Sequence, residues 1–155
     1  MNTTRRELLS HGTHTALIGL LATAGLLPAT ARADWSKAAF DAKTMPEAVK
    51  ALGGGAPVES RDITITGPDI AENGAVVPVG CSTALAGVKR MALLVEKNPS
   101  VLASVFDVTD AVDANFSTRV KMGQSSNVFA VAIMNDGKVL YAVKEIKVTL
   151  GGCGG

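Results

Sequence analysis

The sequence predicts a mainly β protein, an antiparallel, immunoglobulin-like β-sandwich of about seven strands with a short helical N-terminal segment. Three observations carry this. Apolar runs rich in β-branched residues recur at roughly ten-residue spacing from Asp62 to Leu150. Turn residues punctuate them at Gly67-Pro68, Asn98-Pro99 and Asn135-Asp136-Gly137. Helical spacing is confined to the stretch between Trp35 and Leu52.

In chain order, Met45, Ala48, Val49 and Leu52 recur with the helical period. Thr44 before Met45-Pro46-Glu47 reads as an N-cap with proline in the first turn, and Gly53-Gly54-Gly55 as the stop. One or two short helices are expected over residues 35–52. Asp62–Thr66 then alternates with period two. Ala75–Cys81, Gly87–Val95, Val101–Val108 and Phe116–Met122 follow as strands. Asn127–Met134 and Lys138–Leu150 flank Asn135-Asp136-Gly137, a hairpin signal because glycine accepts positive φ. Pro78 inside its strand predicts an edge or a bulge. In the last strand Val139, Tyr141 and Val143 are apolar at odd positions, but Ile146, Val148 and Leu150 at even ones. That change of parity predicts a bulge or a crossing between sheets near Lys144-Glu145.

The N-terminus reads as a leader. Arg5-Arg6 precedes an uncharged run from Ala16 to Leu27, and Ala31-Arg32-Ala33 is an A-x-A cleavage signal. The paired arginines and diluted apolar run point to the twin-arginine route, although Leu8 stands where phenylalanine is usual. The run is too short for the roughly 20 residues that span a bilayer. The expected organisation is a cleavable signal peptide over 1–33, a helical segment over 34–55, a β-sandwich over 56–150 and a flexible arm over 151–155. The expected location is the periplasm, with no membrane attachment after cleavage.

Both histidines, His11 and His14, fall in the leader. Residues 34–155 therefore offer no imidazole, which excludes the usual Ser-His-Asp and Cys-His hydrolases and a Cys/His zinc site. Of the 15 Lys and Arg, removal of Arg5, Arg6 and Arg32 leaves 12; of the 14 Asp and Glu, removal of Glu7 leaves 13, for a net charge of −1. No basic stripe suggests nucleic acid. A domain of this size stands without disulfides, so Cys81 and Cys153 call for specific explanations.

Cys153 sits in Gly151-Gly152-Cys153-Gly154-Gly155. Glycine lacks Cβ and reaches all of φ/ψ space, so this stretch makes a thin, adaptable stalk. At ~3.3–3.6 Å per residue, Gly151 to Cys153 places the sulfur roughly 10 Å beyond the last strand. A thin arm tipped with a nucleophile fits a covalent group carrier. With the carboxyl-terminal charge nearby and no basic residue after Lys147, the thiol is not expected to be strongly self-activated, and partner enzymes are expected to supply the activation.

The ending Lys147-Val148-Thr149-Leu150-Gly151-Gly152-Cys153-Gly154-Gly155 resembles the SoxY family of the sulfur-oxidation (Sox) carrier complex. The leader, the Glu96-Lys97-Asn98-Pro99 turn and the Ala132–Gly137 hairpin share the resemblance. It implies a non-catalytic carrier paired with a small β-sandwich subunit, SoxZ, in a heterodimer. Cys153 is by this resemblance the attachment site for thiosulfate-derived cargo, and Gly151, Gly152, Gly154 and Gly155 form the swinging arm. The implied enzyme partners are a haem-containing conjugating enzyme, a sulfate-releasing hydrolase and a sulfane dehydrogenase. No cofactor or metal is implied beyond the covalent sulfane or thiosulfate adduct.

Cys81 follows Val77 and Val79 on one parity. It reads either as a small buried hydrophobe or as a partner of Cys153, in a disulfide or in sulfur transfer. The strand edge near Pro78 and the helical segment with Trp35 and Phe40 are candidate partner interfaces; the helices are expected simply to pack on the sandwich. Two other classes stay open. A ubiquitin-like carrier also ends in Gly-Gly, but bears its sulfur on the carboxyl. A structural exported β-sandwich would use Cys153 for an intermolecular disulfide.

Overall fold

A computed structural model describes residues 36–149. Residues 1–35, which hold the expected leader, and Leu150–Gly155, which hold the expected arm and Cys153, lie outside the described residues.

Two short helices open the domain: α1 (Lys37–Asp41) and α2 (Met45–Ala51). Ser36 caps α1 by accepting from the Ala39 N–H. Thr44 caps α2 through a reciprocal capping box with Glu47, and Pro46 occupies the first turn, where its missing N–H costs no bond. The chain leaves α2 through Gly53 at φ +84°.

Nine strands follow: β1 (Pro57–Glu59), β2 (Ile63–Thr66), β3 (Ile70–Ala71), β4 (Val77–Thr83), β5 (Val88–Val95), β6 (Leu102–Asp107), β7 (Asn115–Val120), β8 (Ser126–Met134) and β9 (Val139–Val148). The seven expected strands are present. The two extra ones, β1 and β3, are short and both run parallel to β9. One sheet has the order β1-β9-β8-β5-β6, with β3 also on β9; the other has the order β2-β4-β7. The β8–β9 hairpin turns at Asn135-Asp136-Gly137, with Gly137 at φ +84°.

The larger sheet is buried on both faces. Met91, Leu93 and Val95 of β5 face the smaller sheet with Val77, Val79, Val120, Val128 and Ile146. Ala92 and Leu94 face the opposite way, toward Ala39, Ala48, Val49 and Leu52 of the helical segment. That double cover explains why Met91–Val95 reads as a continuous apolar run rather than an alternating one. The helices pack on the sandwich, as expected.

The same double cover corrects the reading of β9. Its register with β8 is unbroken from Ile146 (opposite Ser126) to Val139 (opposite Ile133), so there is no bulge and no crossing. Val139 and Tyr141 face the helices, whereas Leu140, Ala142, Ile146 and Val148 face the inter-sheet core throughout. Apolar parity changes because the helical layer ends, leaving Val143 39% exposed, and not because the strand turns over.

Pro78 also finds its place. Thr83 donates its N–H to Ala114, on the β7 side of β4. By alternation the nitrogen of Pro78 faces the other side, where β2 has already ended at Thr66. So β4 is central over Gly80–Thr83 and one-sided at Pro78, and no ladder bond is lost.

Candidate functional site at the end of strand β9

β9 carries the chain toward Cys153, so its last residues are the foundation of any arm. β8 begins at Ser126, opposite Ile146, and has no residue to pair with the end of β9 beyond that point. The hydroxyl of Ser125 takes over, accepting from the Val148 N–H at 2.9 Å. On the opposite side β3 runs alongside. Asp69 accepts from the Lys147 N–H at 3.0 Å and Ala71 from the Thr149 N–H at 3.1 Å. The Thr149 hydroxyl donates to the Glu72 carbonyl at 3.1 Å. Lys144 donates to the Asp69 carboxylate at 2.6 Å, and this bond holds Asp69 below the usual carboxylate range. Asp69 to Glu72 thus form a clasp on β9 that lasts to Thr149.

The clasp anchors Thr149, the last described residue before the glycine-rich tail. Cys153 lies four positions beyond Thr149, with three residues between, so it stands at most ~13 Å of extended chain away. Around this root lie the Glu72–Val76 segment and the loops joining β5 to β6 and β7 to β8. Met122 donates to Gly74, Asn98 donates to Lys121, and Ser126 accepts from Lys97. Sequence reasoning did not anticipate the clasp, because a two-residue strand leaves no periodic signal.

A broad depression on the described surface lies elsewhere. It has a volume of about 590 Å³ and is lined by Leu85, Asp110, Val112, Asp113, Asn115 and Asn135. Asn135 adjoins the start of β9, and ten strand residues at ~3.3 Å each put it ~30 Å from the arm's root. That is more than twice the ~13 Å of chain between Thr149 and Cys153.

Cys81 points into the core between the sheets at 2% exposure. Burial pushes its thiol up to about 11. A thiol so enclosed cannot pair with a surface arm while the fold is closed, and its place fits the buried-hydrophobe reading. Among the described residues no group of three or more His, Cys, Asp or Glu is placed to hold a metal ion.

A family model described as sulfur oxidation protein SoxY matches residues 48–153, from the middle of α2 through the first two tail glycines to Cys153. The chain belongs to the SoxY family. The structure of the sulfur carrier protein SoxY from Chlorobium limicola f thiosulfatophilum is similar at 34% identity, with a TM-score of 0.62, over 69% of this chain and 97% of that one. A superoxide reductase (neelaredoxin) from Ignicoccus hospitalis matches with a TM-score of 0.50 at 19% identity, over 57% of this chain and 80% of that one. At that identity it shares the SoxY fold alone. No curated protein sequence matches the chain.

Proposed function

We propose that this SoxY-family chain is an exported sulfur carrier of sulfur oxidation, with Cys153 as the atom that bears the cargo. One observation carries the reading: the family match runs to Cys153, and β9 is clasped to within four residues of it. A rigid root and a glycine stalk suit a thiol that must enter other proteins' active sites.

The chemistry follows from what the chain lacks. No histidine lies beyond His14, so no imidazole of the domain can deprotonate the thiol. In the loading step the Cys153 thiol and thiosulfate lose two electrons and one proton, and a sulfur–sulfur bond forms. The electrons pass to the haem-containing partner that serves as oxidant. In the release step water attacks the terminal sulfonate and the sulfur–sulfur bond to it breaks. Sulfate departs, water's two protons are lost and a persulfide anion stays on Cys153. A dehydrogenase then takes the sulfane sulfur onward. Cys153 is in this account a substrate of three enzymes.

The leader supports export to the periplasm by the twin-arginine route, with cleavage after Ala33. Membership of the family supports a heterodimer with a SoxZ-like subunit. Intact mass of the heterodimer, after incubation with thiosulfate and the haem-containing partner, tests the reading. The mature chain is expected to gain the mass of one thiosulfate, and Cys153→Ser to gain none. If the mature chain gives only a reducible Cys153–Cys153 dimer and never an adduct, the structural role replaces the carrier.

A further inference from the structure

Five large apolar side chains stand exposed on the described surface: Val58, Ile70, Val76, Val112 and Val143. Their positions relative to Thr149 sort them. Val58 lies opposite Leu140 and Val143 lies on β9 itself, which places them ~30 Å and ~20 Å back along the strand. Val112 lines the depression at the far end. Ile70 and Val76 are different. Ile70 is 58% exposed and sits opposite Lys147 in the clasp. Val76 is 52% exposed, and its N–H closes a turn on Asn73, the neighbour of the Glu72 that accepts from Thr149. The turn keeps Val76 within ~7 Å of Asn73.

The short reach of the arm makes this placement consequential. An enzyme acting on the Cys153 sulfur must hold its reacting atoms within ~13 Å of Thr149. A catalytic site recessed by even half that depth brings the enzyme's outer surface against the residues around the root. Among the described residues, Ile70 and Val76 are the exposed large apolar groups located there. Each would otherwise lie unburied beside a polar backbone clasp.

We propose that Ile70 and Val76 form the docking rim onto which the active-site mouth of a cargo-processing enzyme closes. The occupant is an enzyme surface with an apolar lip around a narrow channel. This rests on the carrier reading of Cys153. Such a rim serves successive enzymes in turn, because all of them must meet the same root to reach the same sulfur. Anchoring Thr149 only four positions before the cysteine keeps any enzyme that reaches Cys153 close to the domain.

The test uses the heterodimer with Ile70→Asp, Val76→Asp and, as a control, Val112→Asp. Two rates are read on each: loading of Cys153 by the haem-containing enzyme with thiosulfate, and alkylation of Cys153 by iodoacetamide. The rim variants are expected to lose roughly tenfold in kcat/KM for loading, chiefly through KM, with alkylation unchanged within about twofold. Val112→Asp is expected to match the unsubstituted protein in both. Loading that stays within about twofold for both rim variants overturns the rim while leaving the carrier intact. Equal losses in all three variants also overturn it, since the effect is then one of added charge. Cys153→Ser loading as well as the parent would instead overturn the carrier reading, and the rim with it.

Discussion

Cys81 offers a quantitative check on the placement of β4. It lies at 2% exposure in the inter-sheet core, and burial raises its thiol from an ordinary 9.0 to about 11. The folded pKa lies above the unfolded one, so the fold favours the neutral thiol. That preference is fully present below about pH 9 and is lost as pH rises through about 11. At about pH 10.5 the unfolded thiol is largely ionised and the folded one largely is not. Linkage then costs the native state about 2 kcal/mol. Cys81→Ala has no such term. It carries instead a pH-independent loss of ~1 kcal/mol for the missing sulfur in a packed core. Urea unfolding of both proteins at about pH 8 and about pH 10.5 separates the two effects. The unsubstituted protein should be the more stable by ~1 kcal/mol at the lower pH, and the variant by ~1 kcal/mol at the higher. A gap between them that does not move with pH refutes the buried thiol. So does a native-state titration that finds two fast thiols, since only Cys153 should react before unfolding.

Two substitutions probe the scaffold. A Cβ on Gly80 would stand 2.5 Å from the Thr66 hydroxyl and 3.1 Å from the Phe116 carbonyl, so Gly80→Ala should cost about 1–3 kcal/mol in urea unfolding. Adding Thr66→Ala should return part of that loss, and a strictly additive double variant would mean that the strands do not approach so closely. Thr44→Ala removes one half of the α2 capping box and should lower stability by ~1 kcal/mol, a fall of about 4 °C in Tm by calorimetry. An unchanged Tm would show that the helices melt separately from the sandwich.

The sequence determined those features that are local in origin. Turn chemistry at Asn135-Asp136-Gly137 and the Thr44–Glu47 cap act within a few residues, so their outcome needed no tertiary partner. The seven long strands announced themselves because their own side chains supply the period. The terminal Gly-Gly-Cys-Gly-Gly and the absence of histidine beyond His14 were likewise plain in the chain, and they bounded the chemistry before any fold was known. What tertiary structure decided depends on cover from distant residues. The apolar parity of β9 changes because a helical layer some 90 positions upstream stops short of Val143, roughly the separation between Val49 and Val139. Pro78 is tolerated because β2, a separate strand, has ended beside it. β1 and β3 exist only because β9 offers them a free edge, and three or two residues carry no period of their own. The arm shows both kinds of determination. Its composition lies in the chain, but the anchoring of Lys147, Val148 and Thr149 ahead of it is set by Asp69–Glu72 and Ser125, residues that only the fold brings to the end of β9.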